Sequence, residues 1–561
     1  MTYEEYFMKN FLKVMFGRVM FTVLCVLLQL AWMIVLIWKL NQYFVWFSLF
    51  QEIIALIVIL RINAKSEFSA ARLVWTIVIL ALPLFGIMLY LMFGRRSLTR
   101  KQRKRYALVS ERFTSKLSQD PDIMQTLEEK DIYVHNQSLY IQKSSRYPIY
   151  TNTKTTFFAQ TEPALESMLA DLKKAKHFIF MEYFAIEDAQ AFGRIKEVLL
   201  EKQKEGVEVR LIYDDFGSIG FVRPQFMRQL NQQGIQCRIF NPLVPFLYIF
   251  MNNRDHRKIT VIDNQVSYTG GFNLADEYFN ITHPYGHWKD TGLRLEGDAV
   301  ASHTTMFLEM WNFIQETDAT WDKYLIRCIR PEEVLGDRHV GTDHSAISSV
   351  CASSEEAADC SHIETTSGRP GSLKAADSRS GYVQPYSDTP LDNVTLGENV
   401  YMNILKSATR YVYISTPYLI IDNEMEKELK LAAQRGVDVR IITPAIPDKK
   451  LVFLVTQSYY PSLIEAGVRI YQYTPGFIHA KGYVCDDKIG VVGTINMDYR
   501  SLYLHFECAT YLYDCPSIMD MKADFLDTFE KSEEIGPDYC NSRSIFIRGL
   551  QCVLRLFSPL L

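Results

Sequence analysis

Hydrophobic residues divide the chain into an apolar N-terminal part and a longer part in which short apolar runs alternate with amphipathic ones. Residues 19–38 and 73–93 are nearly unbroken apolar runs of 20 and 21 residues, long enough to cross about 30 Å of hydrocarbon as helices. Residues 43–60 are also apolar, but Gln51 and Glu52 interrupt the run. A carboxylate at mid-bilayer costs about 3 kcal/mol, so this run is the weakest candidate. The pattern predicts a membrane anchor of two or three helices within residues 1–105.

Basic residues bear on the topology of this anchor. Lysines and arginines cluster at 95–105, which favours a cytoplasmic location for the part that follows. Basic residues before the first run and between the second and third favour the same side, and three full spans cannot satisfy all of them. Two spans with one re-entrant or interfacial run satisfy more of them, so we expect a multi-pass membrane protein with a cytoplasmic catalytic part. The cluster is either this topology signal or a site for anionic lipid headgroups.

Beyond the anchor, a pattern of strand-like and helix-like runs occurs twice. Apolar, β-branched runs begin near Ala175 and Ala408, and an amphipathic run and a second strand-like run follow each. Ala175 precedes Gly234 by 59 positions, and Ala408 precedes Gly467 by the same 59. Strands that alternate with helices indicate βαβ units. The predicted fold class is α/β, with two pseudo-symmetric halves that each contain a helix-flanked β-sheet.

These halves are expected at residues 106–330 and 381–561, separated by a flexible insertion at 331–380. The insertion is rich in Ser, Ala, Asp, Gly and Thr, a composition that cannot bury enough apolar surface to become ordered. A second insertion, the apolar run 243–251, is either a local core element or a lip that touches lipid. The net charge is −4, so charge gives no reason to expect nucleic acid as a partner. Ten scattered cysteines without a C-x-x-C pair argue against a zinc module.

A polar motif, H-x-K-x4-D, occurs once in each half, and an asparagine follows each histidine by 17 positions. The shared positions are His256, Lys258, Asp263 and Asn273 in the first half and His479, Lys481, Asp486 and Asn496 in the second. On a strand, alternating side chains place the histidine and lysine on one face. The aspartate has the opposite parity and is expected in the turn that ends the strand.

Two such motifs in one cleft can act on a phosphodiester. Two ammonium groups and two amides form a clamp for the phosphate. One neutral histidine can attack phosphorus and the other can protonate the leaving oxygen, without a metal or another cofactor. Glu182 and Glu507 either orient an imidazole or form salt bridges. His283 and His287 have the spacing of a helical metal pair, but a proline and a glycine between them indicate a loop.

These residues resemble the signature of the phospholipase D superfamily, and within it the chain is most similar to the bacterial cardiolipin synthases. Supporting stretches include 82–95, 253–258, 270–278 and the C-terminal Ser-Pro-Leu-Leu. The resemblance implies transfer of a phosphatidyl group between two phosphatidylglycerol molecules through a phosphohistidine, giving cardiolipin and glycerol. It implies a catalytic set of His256, Lys258, Asp263, His479, Lys481 and Asp486, with Asn273 and Asn496 as phosphate ligands. By the same analogy, His256 is favoured as the nucleophile and His479 as the acid and base.

Two alternatives use the same residues. A phospholipase D-type hydrolase, or a transferase to a different alcohol, would bring water or another acceptor to the same site. An inactive membrane scaffold would keep the fold without the chemistry, although all eight motif positions are intact. The expected partners are phosphatidylglycerol and other membrane lipids.

Overall fold

The computed structural model describes residues 20–38, 44–64, 69–94, 100–242, 252–318, 322–324, 381–392, 394–539 and 543–560. The insertion predicted at 331–380 and the apolar run 243–251 therefore lie outside the described residues. Among these residues, the N-terminal part contains four helices: α1 (Met20–Trp38), α2 (Phe44–Asn63), α3 (Ser69–Ala81) and α4 (Pro83–Phe93).

Helix α2 contains the best candidate for a membrane span. Among the described residues, Trp46–Asn63 is the one stretch that is both long and apolar enough to cross a bilayer. Apolar stretches in α1 and α3, Cys25–Val35 and Ala71–Ala81, are shorter. Residues 43–60 therefore form a continuous helix despite Glu52, and the ranking of the three runs as membrane spans stays a prediction.

The run 73–93 does not form the single spanning helix that its length suggests. The helix ends before Leu82, and Pro83 begins the next one, because a proline without an N–H is tolerated in a first turn. The rings of Trp75 and Tyr90 lie 5.5 Å apart, whereas a straight helix would separate these residues by about 22 Å. Helices α3 and α4 therefore form a hairpin, and each arm, at most about 20 Å long, is shorter than the hydrocarbon thickness.

The remaining elements form two α/β halves. The first half contains α5 (Arg100–Thr114), α6 (Pro121–Lys130), α7 (Ile132–Ser145), β1 (Thr153–Phe158), α8 (Thr161–Leu172), β2 (Phe178–Tyr183), α9 (Gln190–Lys204), β3 (Glu208–Asp214), α10 (Phe226–Gln232), β4 (Gln236–Phe240), β5 (Lys258–Ile262), β6 (Val266–Gly270), β7 (His287–Lys289), β8 (Gly292–Gly297) and α11 (Val300–Ile314).

The second half contains β9 (Tyr382–Asp388), α12 (Leu396–Ser407), β10 (Tyr411–Ser415), β11 (Leu419–Ile420), α13 (Asn423–Gln434), β12 (Asp438–Pro444), α14 (Lys450–Glu465), β13 (Arg469–Tyr473), β14 (Gly476–Ile478), β15 (Gly482–Cys485), β16 (Ile489–Gly493), β17 (Met497–Asp498), α15 (Tyr499–Tyr503), β18 (Glu507–Tyr513), α16 (Ser517–Glu530), β19 (Ser532–Glu534) and α17 (Ile545–Phe557). Short 3-10 helices occur at Asp276–Phe279, Asp322–Tyr324 and Ser558–Leu560.

The two halves share one strand order. The first sheet is ordered β1-β8-β6-β5-β2-β3-β4, and the second β9-β18-β16-β15-β10-β12-β13 with β19 added at the edge. Strands β2, β3 and β4 are parallel, as are β10, β12 and β13. The motif strands β5 and β15 pair antiparallel with β2 and β10. The predicted α/β class with two pseudo-symmetric halves is therefore confirmed.

One hydrophobic core joins the two sheets. Phe180, Val261 and Leu295 of the first half belong to the same buried cluster as Val484 and Val492 of the second. The apolar side chains of the motif strands therefore pack between the halves. This packing holds the two motifs in a fixed relation to each other.

Candidate active site

The two motif histidines lie at the same edge of their respective sheets. Strand β5 begins two residues after His256, at Lys258, which pairs with Tyr183 at the end of β2. The second half repeats this arrangement, because β15 begins three residues after His479 and lies beside the end of β10. Each histidine thus stands just ahead of its strand, at the edge where the parallel strands end. Open α/β sheets bind ligands at this edge.

A carboxylate of the second half orients His256. The imidazole Nδ1 lies 2.9 and 3.0 Å from the two carboxylate oxygens of Glu507, and the backbone N–H donates to Phe506 O at 2.9 Å. Glu507 is fully buried and also accepts a hydrogen bond from the Thr494 hydroxyl. Because a carboxylate can only accept, Nδ1 carries the proton and Nε2 keeps its lone pair. This is the tautomer that a nucleophilic histidine needs.

A carboxylate of the first half orients His479 in the same way. Nδ1 lies 2.7 Å from Asp290 Oδ2, and the backbone N–H of His479 donates to Lys289 O at 2.7 Å. The other oxygen of Asp290 accepts from the Thr291 N–H at 2.9 Å. A Cβ added at Gly271 would overlap this carboxylate, so the glycine after β6 leaves room for it. Each half therefore supplies the carboxylate that orients the histidine of the other half.

The motif lysines are buried beside their own histidines. Lys258 Nζ donates to His256 O at 2.7 Å, and Lys481 Nζ donates to His479 O. Burial lowers the pKa of Lys258 to about 8, although nearby carboxylates oppose the shift. Burial also lowers the pKa of Lys481 to about 7. An anion bound between two such poorly solvated ammonium groups would stabilise both.

Both histidines are neutral near pH 7 in the empty site. Burial and the charges of Lys258 and Lys481 hold the pKa of His256 well below its usual range, and His479 adds to this shift. Burial and Lys481 lower the pKa of His479 to about 3 against the opposing effect of Asp290. Burial alone would raise the pKa of Asp290, but His479 and Lys481 hold it below its usual value. Because these charges act across the halves, the four histidine and lysine side chains lie near one another.

Comparison with known proteins identifies the family. A family profile described as cardiolipin synthase, PLD-like domain, matches residues 168–311 and 401–529, one segment in each half, and a phospholipase D-nuclease N-terminal profile matches 53–95. Cardiolipin synthase 2 of Bacillus cereus is 32% identical over 89% of this chain and 88% of that protein. This chain belongs to the cardiolipin synthase family.

Two further comparisons concern overall sequence similarity and fold. An uncharacterized protein of Streptococcus mutans is 39% identical over 90% of this chain and 99% of its own length. The crystal structure of phosphatidylserine synthase from Haemophilus influenzae has the same fold, with a TM-score of 0.52 and 13% identity over 76% of this chain and 100% of that one. The cardiolipin synthase family consists of phosphatidyltransferases of the phospholipase D type, so the chain is an enzyme of this class.

The motif aspartates lie at the ends of the motif strands that are far from the histidines. Asp263 and Asp486 each follow their histidine by seven residues, which corresponds to about 23 Å of extended chain. Asp263 accepts hydrogen bonds from the backbone N–H groups of 176–178 at 2.7 to 2.8 Å. Asp486 accepts the equivalent bonds from 409–411 at 2.7 to 2.9 Å. Both have positive φ, at 52° and 53°, in the hairpin turns, so the turn prediction is confirmed.

The motif asparagines are buried next to the cleft. Asn273 Oδ1 accepts from the Ala185 N–H at 3.1 Å, and Nδ2 donates to the Tyr278 hydroxyl at 2.7 Å. The ring of Tyr278 in turn lies 5.3 Å from the ring of His479. Oδ1 of Asn496 has no hydrogen-bond partner among the described residues. The phosphate-binding role of both amides stays a prediction.

The acidic residues near the motifs divide into two groups. Glu507 orients His256, whereas Glu182 forms a fully buried ion pair with Arg257 at 2.6 Å. Sequence reasoning gave Asp290 no role. The equivalence of the two halves could have identified it. Asp290 lies just before β8, and Glu507 is the first residue of β18, the strand of the second sheet that corresponds to β8.

A third histidine, His505, adjoins the candidate site. Its ring lies 5.4 Å from the ring of His256, and its Nδ1 lies 3.6 Å from Glu507 Oε1. Among the described residues, these three side chains form the one group whose donor atoms are close enough together to hold a metal ion. The two ammonium groups of the cleft disfavour a cation there. His283 is exposed and outside any helix, and His287 begins β7, so the two histidines do not share a helix, in agreement with the proline and glycine between them.

Proposed function

We propose that this chain is a cardiolipin synthase that transfers a phosphatidyl group from one phosphatidylglycerol molecule to another and releases glycerol. Relatives that bear the name cardiolipin synthase support the product. The main structural support is the crossed pair of neutral imidazoles, each oriented through Nδ1 by a carboxylate of the opposite half, beside two buried ammonium groups. This arrangement suits two-step transfer through a phosphohistidine.

In the first step, Nε2 of His256 attacks the phosphorus of one phosphatidylglycerol. A P–N bond forms, the P–O bond to the glycerol headgroup breaks, and protonated His479 donates a proton to the departing oxygen. The pKa of His479 is low in the empty site, but the negative charge of the bound phosphodiester raises it and favours the protonated form. Lys258 and Lys481 stabilise the charge on the non-bridging oxygens.

In the second step, neutral His479 accepts a proton from a glycerol hydroxyl of the second phosphatidylglycerol. That oxygen attacks phosphorus, the P–N bond breaks and His256 is regenerated. The net reaction converts two phosphatidylglycerol molecules into cardiolipin and glycerol. We assign Asp263 and Asp486 to the hairpin turns that hold the motif strands, and Asn273 to the wall of the cleft.

Product analysis tests this proposal. The full-length protein is placed in nanodiscs that contain phosphatidylglycerol, and lipid and glycerol products are measured by mass spectrometry. We expect cardiolipin and glycerol in equal amounts, abolished in His256→Ala and His479→Ala and retained in His135→Ala, a control histidine outside the site. Phosphatidic acid without cardiolipin would support the hydrolase alternative. Lipid binding without turnover would support the scaffold.

A covalent trap tests the assignment of the nucleophile. A phosphatidyl ester of p-nitrophenol needs no proton on its leaving group, so His479→Ala should still form the covalent intermediate. The slow second step should then let phosphorus-32 label accumulate on the peptide that carries His256. Label on His479 in the His256→Ala variant would reverse the assignment.

We also propose that the protein is a multi-pass membrane protein with its catalytic part in the cytoplasm. In this arrangement α1 and α2 cross the bilayer, and the α3–α4 hairpin enters and leaves from the cytoplasmic side. All three groups of basic residues, including the 95–105 cluster, then lie in the cytoplasm. A reporter enzyme inserted between α1 and α2 should be external, and one inserted between α2 and α3 internal. The opposite result at either position would contradict this topology.

A further inference from the structure

The C-terminal helix α17 packs on the second half through its polar side. Gln551 is only 2% exposed, and the guanidinium of Arg555 forms an ion pair with Glu426 at 2.5 Å. The same guanidinium lies 4.0 Å from the centroid of the Tyr459 ring. Gln551, Arg555 and the buried Ser558 follow one another at helical spacing, and with the partly buried Leu554 they form the side of the helix that faces the protein.

The apolar stripe of α17 faces outward. Phe546, Leu550 and Val553 are 85%, 47% and 55% exposed, and Ile545 is exposed beside them. A surface helix of a water-soluble protein normally turns such a stripe towards the core. Burial of side chains of this size is worth about 1.5–3 kcal/mol each. The orientation of α17 is therefore the reverse of the one that water favours, and it suits a helix whose outer surroundings are apolar.

The position of α17 indicates what these surroundings are. The short helix that continues it, Ser558–Leu560, contacts α3 of the N-terminal hairpin. The same short helix contacts α15, which follows the second motif and ends just before His505. The C-terminal end of α17 is therefore followed by a segment that lies between the N-terminal hairpin and the element that leads to His505.

Exposed apolar residues also occur at the edge that carries the histidines. Phe216 and Ile219 follow β3, and Ile446 and Leu451 follow β12, and all four side chains are exposed. Strands β3 and β12 are equivalent in the two sheets, and both end at the edge of the active site. Helix α14, which begins beside the second loop, is the helix on which α17 packs. Exposed apolar residues thus follow equivalent strands at the active-site edge of both sheets, and α17 packs on the helix that begins beside one of these loops.

We propose that α17 is an interfacial helix that lies along the bilayer surface with Phe546, Leu550 and Val553 in the acyl-chain boundary, and that the exposed apolar residues of the two loops turn the active-site edge towards the same bilayer. Its partner is the lipid bilayer, because the segment that follows α17 packs on the apolar N-terminal hairpin, and the amphipathic pattern of α17 is that of helices which lie in the membrane plane. The contact of α17 with the bilayer does not require the transfer reaction, so experiments can disprove either proposal without disproving the other.

Photo-crosslinking in nanodiscs tests the contact directly. In the full-length chain, p-benzoylphenylalanine replaces Phe546, or as a control Tyr133, an aromatic residue that is 70% exposed on α7. After irradiation we expect lipid adducts at position 546 and none at position 133. An adduct between two copies of the chain would overturn the proposal in favour of a dimer contact. The absence of any adduct at position 546 would show that the stripe faces water.

A kinetic comparison tests the consequence for the enzyme. The double variant Phe546→Ser, Leu550→Ser should need about tenfold more phosphatidylglycerol in the bilayer for half-maximal rate, because apolar contact area with the lipid is lost. Its rate with a short-chain phosphatidylglycerol, monomeric in water, should be unchanged, since neither residue belongs to the site. Equal losses with both substrates, or no loss with either, would contradict the proposal. If the protein shows no transfer at all, the crosslinking result still decides the membrane contact.

Discussion

Removing the charge of one orienting carboxylate is the most direct test of the crossed arrangement. Glu507→Gln and Asp290→Asn keep the shape of each side chain but replace an oxygen acceptor with an amide that can also donate. The amide NH2 can turn towards Nδ1 of the histidine, which then becomes the acceptor and moves the ring proton to Nε2. Nε2 of His256 would then present a proton to phosphorus instead of a lone pair.

The distances allow the size of the effect to be worked out. The Glu507 contacts at 2.9 and 3.0 Å and the Asp290 contact at 2.7 Å are hydrogen bonds to charged groups. Each such group contributes about 1.5–3 kcal/mol, and about 1.4 kcal/mol corresponds to a tenfold change in rate. Asp290→Asn should therefore slow kcat by roughly 10- to 100-fold. Glu507→Gln should cost more, up to about 10⁴-fold, because the wrong tautomer removes the nucleophile itself.

Initial rates of cardiolipin formation in nanodiscs measure these changes, and thermal unfolding in the same nanodiscs checks the fold. The matched control is Glu309→Gln. Glu309 is a buried carboxyl that accepts from the Tyr147 hydroxyl at 2.6 Å and touches neither histidine. The control should keep its activity, since burial raises the pKa of Glu309 and makes a neutral side chain acceptable there. A folded Glu507→Gln variant with a near-normal rate would refute the orienting role of this carboxylate.

Three further predictions follow from the same geometry. Gly271→Ala should displace the carboxylate of Asp290 and slow kcat at least about tenfold; a normal kcat would show that the site relaxes around the methyl group. Before substrate binds, the pKa of Lys481 is about 7, so its ammonium group loses its charge as the pH rises above 7. The affinity for the anionic phosphate is then lower, and kcat/KM should fall over the same pH range. A pH profile flat to pH 9 would contradict this. Asp263→Asn should lower the free energy of unfolding by about 2–3 kcal/mol and affect kcat less than Glu507→Gln does; the opposite ranking in thermal unfolding and rate assays would make Asp263 catalytic.

Features that depend on local pattern could be predicted from the sequence. The repeated 59-residue spacing between Ala175 and Gly234 and between Ala408 and Gly467 reflects the βαβ units that both halves contain. The alternation of side chains along a strand also predicted that Asp263 lies in the turn, apart from the histidine and lysine of its motif. Side-chain alternation and turn preference act within a few residues, so they leave a direct record in the sequence.

Features that depend on contacts across the halves could not be predicted in this way. Spacing within one half contains no information about which carboxylate of the other half meets a histidine, so Asp290 had no assigned role. The α3–α4 hairpin is an intermediate case. Pro83 marks the break in the sequence, but a proline can also kink a continuous helix, and the contact between Trp75 and Tyr90 decides between these outcomes.

The two halves are not equivalent at the residue that follows each histidine, and this difference bears on their roles. Arg257 follows His256 and is fully buried, with an ion pair to Glu182 at 2.6 Å. Ala480 follows His479 and makes no such bond. The buried Arg257 side chain holds the backbone next to His256. This suits an imidazole that forms and breaks a covalent bond, because any displacement of the ring changes the distance between nitrogen and phosphorus. A proton can be transferred over a wider range of geometries. This difference supports the proposal that His256 is the nucleophile and His479 the acid and base.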